Sequence, residues 1–354
     1  MRSTIPGADS GILWPLVLME RSTVRVAIVG LGAVGGLIAA RLAAHGVDVC
    51  ALARGATLQA LRSRGLQLID AKSAEAPLAR HHIVASDDPA ALGTADIVVV
   101  AVKAPALASV APAVASLCAK DSVIVSAMNG VPWWFFHGLD PQLAARRWSS
   151  IDPAGRLGEL MPAERVIGAV LHFGASTPEP ATVRLSTGVR IVLGESVGGL
   201  SPRLDRVATL FAAAGMPIER SSRIQQDVWF KLWGNMTMNP VSALTGATAD
   251  KLLDDPLVRG FLSRAMAEAS EIGARIGLPI AMTPEERHEV SRHIGAFKSS
   301  MLQDVEAGRP MEIDALLGSV HEIGQVVGVP TPFVDALFGI TRLFAQNHGL
   351  YPAA

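Results

Sequence analysis

The sequence predicts an α/β protein in which a Rossmann-type, doubly wound parallel sheet is followed by an all-helical domain. Three observations support this prediction. Residues 24–36, VRVAIVGLGAVGG, read as a buried strand, a glycine-rich turn and the start of a helix. The first two hundred residues alternate short apolar runs with helical segments, whereas residues after about 224 show helical spacing alone. We therefore expect an extension over residues 1–23, a sheet domain over 24–221 and a helical domain over 222–354.

Composition narrows the classes of function. The chain has 354 residues, of which 50% are hydrophobic and 18% charged, with a net charge of −1. This balance suits a well-buried globular protein and indicates neither a nucleic-acid nor a membrane partner. Cys50 and Cys118 lie in apolar runs and are expected in the core, and the nine histidines show no metal-ligand spacing, so no metal is expected.

The extension over residues 1–23 contains an apolar run, residues 11–19, that is too short to cross a bilayer. It also lacks the basic start and the small-residue cleavage site of a signal peptide. We therefore expect a poorly ordered extension and a cytoplasmic protein.

The individual elements follow from apolar periodicity and from glycine or proline breaks. The runs that predict strands are 26–29, 47–53, 65–69, 97–102, 123–127, 166–173 and 189–193. The continuous run 97–102, IVVVAV, is typical of a parallel strand that is buried on both faces. The segments that predict helices are 37–44, 203–214, 226–239, 256–276, 284–307, 313–327 and 332–347.

The turn after the first strand has the spacing of a dinucleotide-binding motif. Gly30 allows the tight turn, Gly32 lets the backbone approach a pyrophosphate, and Gly35 lets the helix pack on the strand. The intervening Leu31, Ala33 and Val34 complete the turn, and the helix N-terminus offers free N–H groups to phosphates. The alternative is a glycine-rich turn that only joins a buried strand to a helix.

The end of the second strand favours NADP(H) over NAD(H). Arg54 stands where an NAD-binding unit carries an acidic residue, and its planar guanidinium suits a 2′-phosphate. The alternative is that Arg54 is an ordinary solvated loop residue. Lys103 follows the buried run 97–102 at its carboxyl end, where it is placed either for a phosphate contact or at the rim of a helix.

A second motif lies in the predicted helix 226–239. Lys231, Asn235 and Asn239 are spaced i, i+4 and i+8, so they share one face of a helix that is otherwise rich in Trp, Phe, Leu and Met. The alternative is a narrow solvated stripe on an amphipathic helix. The functional interpretation is a buried ammonium that protonates a carbonyl oxygen, flanked by two amides.

Taken together, these motifs resemble the ketopantoate reductase (2-dehydropantoate 2-reductase) family from Val24 onward. The segments that carry the resemblance are G-L-G-A-V-G-G, the A-R-G after the second strand, V-K-A at residues 102–104, N-G at 129–130, W-x-K-x-x-x-N-x-x-x-N-P at 229–240, and S-S-M-x-x-D with G-R-x-x-E-I-D at 299–314. The resemblance implies a helical domain of the 6-phosphogluconate dehydrogenase C-terminal type. It also implies that cofactor and substrate meet in the cleft between the domains.

The resemblance also implies roles for single residues. It makes Lys231 the general acid and Glu312 an assisting acidic residue near the substrate oxygen. Its implied substrate-binding residues are Asn129, Asn235, Asn239 and Ser300, with Asn129 also near the nicotinamide. It implies that Arg54 and Lys103 lie near the adenosine 2′-phosphate.

The chain departs from the family pattern in three places. Pro105 and Ala106 stand where a glutamine is common, and Phe297 stands where an asparagine often contacts substrate. The segment 133–164 is longer than a minimal member needs, and its aromatic start, 133–136, is expected to roof the site. Phe297 and this roof favour a 2-oxo acid that is more apolar than ketopantoate.

The leading hypothesis is NADPH-dependent reduction of a 2-oxo acid to a 2-hydroxy acid, with ketopantoate to pantoate, in pantothenate biosynthesis, as the family reaction. One alternative is a related reductase of another oxo or imino acid, and another is a catalytically silent NADP(H)-sensing protein. The expected partner is a small-molecule 2-oxo acid. The apolar surface of the helical domain also suits a homodimer, although apolar helices form cores as well.

Overall fold

The computed structural model describes residues 24–70 and 79–351. The predicted extension over residues 1–23 lies outside the described residues. Within these ranges ten strands form one sheet. They are β1 (Arg25–Val29), β2 (Asp48–Leu52), β3 (Leu66–Asp70), β4 (Ala79–His81), β5 (Val84–Ser86), β6 (Ala95–Val100), β7 (Cys118–Ser126), β8 (Val166–Glu179), β9 (Thr182–Glu195) and β10 (Ile218–Ser221).

The parallel part of the sheet is doubly wound, as predicted. Its six strands follow the order β5-β2-β1-β6-β7-β8, and in β1 Ala27 pairs with Cys50 on one side and with Val98 on the other. The chain proceeds from β1 to one edge and, after β6, to the other. The topological switch point therefore lies between β1 and β6, and ligands of such sheets bind outside the carboxyl ends of the strands at this point.

The strands β8 and β9 are longer than the sequence predicts. They form an antiparallel hairpin of two 14-residue strands, which β10, β3 and β4 extend. The added residues 174–179 and 182–188 are mostly polar or half-buried, so they carry no apolar run that would announce a strand. The sheet curls around the first helix, which packs against β2 as well as against β3, β8 and β9.

The described chain also contains thirteen α-helices. In the sheet half they are α1 (Ala33–Ala44), α2 (Gly55–Arg64), α3 (Ala104–Leu117), α4 (Pro141–Ala144), α5 (Leu157–Leu160) and α6 (Pro202–Ala213). After β10 they are α7 (Ile224–Thr245), α8 (Ala249–Asp254), α9 (Pro256–Arg275), α10 (Pro284–Ile294), α11 (Ser300–Glu306), α12 (Ser319–Val327) and α13 (Pro332–Asn347). A 3-10 turn, Ala163–Arg165, precedes β8, and a π-helical turn, Asp314–Gly318, leads into α12.

The predicted single helix over 284–307 is wrong. The structure has two helices there, α10 and α11, separated by residues 295–299. Gly295 ends α10 with φ +81°, and Ser299 caps α11 by accepting a hydrogen bond from the Leu302 N–H at 3.1 Å. The apolar spacing continues across this break, so periodicity alone predicts one continuous helix.

The helix α7 is the central element of the helical half. Trp229 and Trp233 are almost fully buried, and the Trp233 indole donates to the Met266 carbonyl of α9 at 2.7 Å. The helix also contacts β8 and β9, so it is one of the elements that join the helical half to the sheet. No helix in the described part of the chain is both long enough and apolar enough to cross a membrane.

We expect Gly35→Ala to destabilise the protein and Gly32→Ala to leave its stability nearly unchanged. A Cβ on Gly35 would lie 2.0 Å from the Gly30 carbonyl oxygen, whereas a Cβ on Gly32 would have nothing within 4 Å. Overpacking of this kind lowers the free energy of unfolding by about 1–3 kcal/mol, and an unhindered change by under about 0.5 kcal/mol. Urea unfolding followed by tryptophan fluorescence measures both. Equal stabilities of the two variants would contradict the close packing of α1 on β1.

Candidate active site

The glycine-rich turn lies at the switch point of the sheet. Gly30 has φ +98°, and a Cβ there would lie 2.7 Å from Val102 Cγ1, so the ends of β1 and β6 are in contact. Gly32 is the N-cap of α1, and the first turn of this helix carries no acidic residue. The N–H groups that begin α1 therefore face open space beside Gly32, which is the arrangement that suits a pyrophosphate.

The two basic residues that were assigned to the cofactor phosphate differ in their surroundings. Arg54 is the N-cap of α2, directly after β2; it is exposed, and no ion pair engages it within the described ranges. Lys103 is the N-cap of α3, after β6, and its Nζ lies 2.5 Å from Asp304 Oδ1 of α11. Arg309 Nε also lies 3.2 Å from that oxygen. Arg54 is thus free to meet an anion, whereas Lys103 links the sheet half to the helical half.

Lys231 is held from the sheet side by two neutral oxygens. Its Nζ donates to Asn129 Oδ1 at 2.9 Å and to the Leu171 carbonyl at 2.7 Å. Asn129 follows β7 and Leu171 lies in β8, so both acceptors come from neighbouring strands. Burial lowers the pKa of Lys231 to about 8, and the charge of Glu312 opposes this shift. No hydrogen-bond partner is found for the third N–H of the ammonium among the described residues.

Glu312 is buried beside the start of α3. Its Oε1 accepts a hydrogen bond from the Ala104 N–H, at the N-terminus of that helix, at 3.1 Å. Burial raises the pKa of Glu312, while the Ala104 N–H and the charge of Lys103 act in the opposite direction. Its carboxylate therefore acts on Lys231 through its charge, and its hydrogen bond goes to α3.

A small pocket opens at this point. Its lining residues are Met128, Asn129, Gly130, Val170, Val228, Lys231, Leu232 and Asn235. Three of the sequence-predicted residues, Asn129, Lys231 and Asn235, thus share one pocket. Asn239 is buried one turn further along α7, and Ser300 is exposed at the first turn of α11, which packs on α7. Across residues 24–70 and 79–351, no group of three His, Cys, Asp or Glu side chains is arranged to hold a metal.

The aromatic tract 133–136 does not roof the pocket. Trp134, Phe135 and Phe136 are buried in the core below α7, where the Phe135 ring lies 6.1 Å from that of Trp229. The Phe136 ring stacks on Trp148 at 4.3 Å, which ties the tract to the rest of the 133–164 segment. Trp133 is half-buried, its indole N–H donates to the Met161 carbonyl at 2.9 Å, and none of the four rings is among the residues that line the pocket.

Two contributors to the site could not be read from residue types. The Leu171 carbonyl that accepts from Lys231 and the Ala104 N–H that donates to Glu312 are backbone groups. Phe297 packs half-buried against the core, its carbonyl accepts from the Ala249 N–H at 3.1 Å, and it is not among the residues that line the pocket.

Comparison with known proteins agrees with this architecture over both halves. The family model "Ketopantoate reductase PanE/ApbA" matches residues 26–198, and "Ketopantoate reductase PanE/ApbA C terminal" matches residues 223–345. The 2-dehydropantoate 2-reductase of Mesorhizobium japonicum is 38% identical over 92% of this chain and 99% of its own length. The chain belongs to the ketopantoate reductase family.

Solved structures extend the likeness. A structure from Ralstonia solanacearum MolK2, assigned as a ketopantoate reductase, is 53% identical with a TM-score of 0.89, over 93% of this chain and 100% of that one. D-mandelate dehydrogenase, solved with NADH and anilino(oxo)acetate, has a TM-score of 0.78 at 19% identity, over 92% of this chain and 99% of that one. The second likeness shows the fold alone. Membership of the family makes this chain an oxidoreductase of the 2-oxo acid and 2-hydroxy acid class.

We expect Glu312→Gln to lower the pKa of Lys231 further below its present value of about 8, because the substitution removes the negative charge that favours the ammonium. The titration of the Lys231 side chain by carbon-13 NMR, assigned with Lys231→Met, measures this directly. Glu271→Gln is the matched control, since Glu271 is exposed on α9 and pairs with Arg275. An unchanged or raised pKa in Glu312→Gln would contradict the charge coupling.

Proposed function

We propose that this protein reduces ketopantoate to pantoate with NADPH, the family reaction, which serves pantothenate biosynthesis. The observation that carries the proposal is the Lys231 ammonium, which lines a pocket together with Asn129 and Asn235 and has its pKa lowered to about 8. A bound nicotinamide would supply the hydride to the carbonyl carbon of the substrate. The protein would supply the proton and the positions of both groups.

Lys231 is the proposed proton donor. As the carbonyl carbon is reduced, its oxygen gains an electron pair, and the free N–H of the ammonium is placed to transfer a proton to that oxygen. A pKa of about 8 leaves the group largely protonated at neutral pH, yet makes it a better acid than an ordinary lysine. Asn129 and the Leu171 carbonyl would hold Nζ in position during this transfer.

The remaining polar residues would bind the substrate and tune the acid. Asn235 lines the pocket next to Lys231, and its amide can donate to and accept from a substrate hydroxyl. We assign Asn239 and Ser300 to the same substrate from the resemblance. Glu312 would keep the ammonium protonated through its charge.

The choice of cofactor is proposed from Arg54. Its exposed guanidinium, free of carboxylate partners in the described part of the chain, supports a contact with the 2′-phosphate of NADPH. The backbone over residues 30–35 would cradle the pyrophosphate. D-mandelate dehydrogenase, which has the same fold, was solved with NADH, so the test below includes both cofactors.

Two further points concern substrate and assembly. The burial of residues 134–136, and the absence of Trp133 from the pocket lining, remove one of the two reasons to expect a more apolar acid than ketopantoate. The names of the relatives support ketopantoate itself. Exposed apolar side chains, Leu257 on α9 and Ile340 and Leu343 on α13, are available for association of two copies. A homodimer through the helical half stays a prediction.

We expect Lys231→Met to lower the turnover of ketopantoate by at least about 100-fold while the dissociation constant for NADPH stays unchanged, because a positioned proton donor contributes about 10²–10⁴-fold. In the parent protein kcat/KM for reduction should fall as the pH rises above about 8, where the ammonium loses its proton. Lys251→Met, on the exposed side of α8, is the control. A loss under about tenfold in Lys231→Met would exclude this lysine as the acid.

We expect Arg54→Ala to weaken NADPH binding by about 10- to 150-fold, the equivalent of a lost charged hydrogen bond of about 1.5–3 kcal/mol, and to leave NADH binding nearly unchanged. Fluorescence titration with the two cofactors measures this. Arg62→Ala, exposed on the same helix α2, should change neither. Equal losses for NADPH and NADH would rule out a contact between Arg54 and the 2′-phosphate.

A further inference from the structure

The residues that follow α13 lie against the chain segment that leads into the π-helical turn. The Met311 N–H donates to the Leu350 carbonyl at 2.9 Å. The Tyr351 hydroxyl lies 2.8 Å from both Oδ1 and Oδ2 of Asp314, so its one hydrogen is shared between two carboxylate oxygens. The segment 311–315, called the tethered segment below, is therefore held at its start and again three residues later.

The two residues that hold it are themselves fixed to the end of α13. The N–H groups of Leu350 and Tyr351 both donate to the Ala345 carbonyl, at 2.7 and 3.2 Å, and Leu350 is buried. Tyr351 is half-buried and is the one tyrosine of the chain. Its phenol is thus presented to Asp314 by the end of a helix, and its ionisation is observable without a second tyrosine.

The tethered segment also contacts the groups around Lys231. It carries Glu312, whose charge raises the pKa of Lys231 against the effect of burial. The Ala315 carbonyl accepts from the Val131 N–H at 3.0 Å. Val131 lies two residues after Asn129, whose Oδ1 accepts from the Lys231 ammonium at 2.9 Å. Two of the groups that act on the candidate acid therefore depend on where this segment lies.

The position of Asp314 depends on Tyr351. Burial raises the pKa of Asp314, while the bond from the Tyr351 hydroxyl and the charge of Arg342 act in the opposite direction. Within residues 24–70 and 79–351 no other donor bonds to this carboxylate. A half-buried carboxylate without a donor is unfavourable, so loss of the hydroxyl favours a shift of the π-helical turn that Asp314 begins.

We propose that Tyr351 is a positioning residue of the candidate active site. Through Asp314 it fixes the tethered segment, and the segment fixes Glu312 and the loop after β7 relative to Lys231. Tyr351 is not among the residues that line the Lys231 pocket, so it acts through these groups and not on the substrate. The inference rests on the proposed role of Lys231 as the proton donor and adds a residue that acts on it from behind the pocket.

The consequence for Lys231 follows from charge and distance. The attraction between the Glu312 carboxylate and the ammonium weakens as the two move apart. Loss of the Tyr351 hydroxyl should therefore lower the pKa of Lys231, in the same direction as loss of the Glu312 charge but by less. A hydroxyl that only stabilises the fold would leave this pKa unchanged.

The first measurement tests the bond between Tyr351 and Asp314. Burial, together with the bond to Asp314, raises the pKa of Tyr351 to about 12, whereas an ordinary tyrosine has a pKa of about 10. The near-ultraviolet absorbance of the ionised phenol reports on this single residue. We expect the phenol to ionise at lower pH in Asp314→Ala than in the parent protein. A titration curve that Asp314→Ala leaves unchanged would contradict the bond and with it the proposal.

The second measurement tests the effect of Tyr351→Phe on Lys231. We expect the carbon-13 titration of the Lys231 side chain to move to lower pH, and the alkaline limb of kcat/KM for ketopantoate to move with it. At neutral pH kcat should fall by about 3- to 10-fold, because small misplacements of a catalytic group slow the reaction. KM and the dissociation constant for NADPH should stay within about twofold, since neither ligand touches Tyr351.

Two further variants keep the test decisive. Thr331→Val is the matched control, because the Thr331 hydroxyl also donates to a carboxylate, that of Asp335, at 2.7 Å, but at the opposite end of α13. It should lower stability in urea and leave the Lys231 titration and kcat unchanged. Asp314→Ala removes the proposed bond from the other side and serves if Tyr351→Phe does not fold. The double variant should be no worse than the more affected single variant, because both changes remove one bond.

The outcomes separate the two proposals. If the parent protein reduces ketopantoate and Tyr351→Phe loses only stability, as Thr331→Val does, then Tyr351 is structural and this inference alone is wrong. If the parent protein reduces no 2-oxo acid, the proposed reaction is wrong, and the titration of Lys231 in Tyr351→Phe still decides whether Tyr351 positions its surroundings. A Lys231 titration that moves to higher pH in Tyr351→Phe would also overturn the inference.

Discussion

The site depends on one constraint, which is that the Lys231 ammonium is withdrawn from water and compensated by two neutral oxygens. A buried charge without such partners is strongly unfavourable, so α7 must lie where Nζ reaches Asn129 and the Leu171 carbonyl together. The rings of Trp229 and Trp233 are buried on the same helix, where they pack against α9. Packing on one face of α7 thereby fixes the position of the Lys231 ammonium on the other face.

The contacts around the cleft between sheet and helices are polar on both sides. The N-terminus of α3 meets the Glu312 carboxylate through the Ala104 N–H, and the preceding Lys103 reaches Asp304 of α11. Close by, the Val131 N–H donates to the Ala315 carbonyl at 3.0 Å, which ties the loop after Asn129 to the π-helical turn. A carboxylate at a helix N-terminus is favourable in itself. The segment 312–315 therefore connects both walls of the cleft.

The parts of this structure that could be predicted are those whose signal is local. The strand, turn and helix over residues 24–44 follow from apolar spacing and three glycines, and the shared pocket of Lys231 and Asn235 follows from helical spacing. The backbone groups of Leu171 and Ala104 carry no residue identity, so their roles depend on tertiary structure. The break between α10 and α11 was hidden because apolar spacing continues through it. The apolar tract 133–136 predicts burial, but its sequence does not show which part of the protein it packs against.

The pairing of Glu312 with α3 rather than with Lys231 has a chemical consequence. Had the carboxylate bonded directly to Nζ, the ammonium would be stabilised and its pKa would rise toward or above that of a free lysine, which would make it a poor acid at neutral pH. Because the Ala104 N–H takes the carboxylate, Lys231 feels its charge only at a distance, and burial remains the larger effect. The same carboxylate is thus near enough to keep the lysine protonated and far enough to let it release the proton. This balance requires the sheet half and the helical half to meet at α3, which is why the candidate acid lies between them rather than within either one.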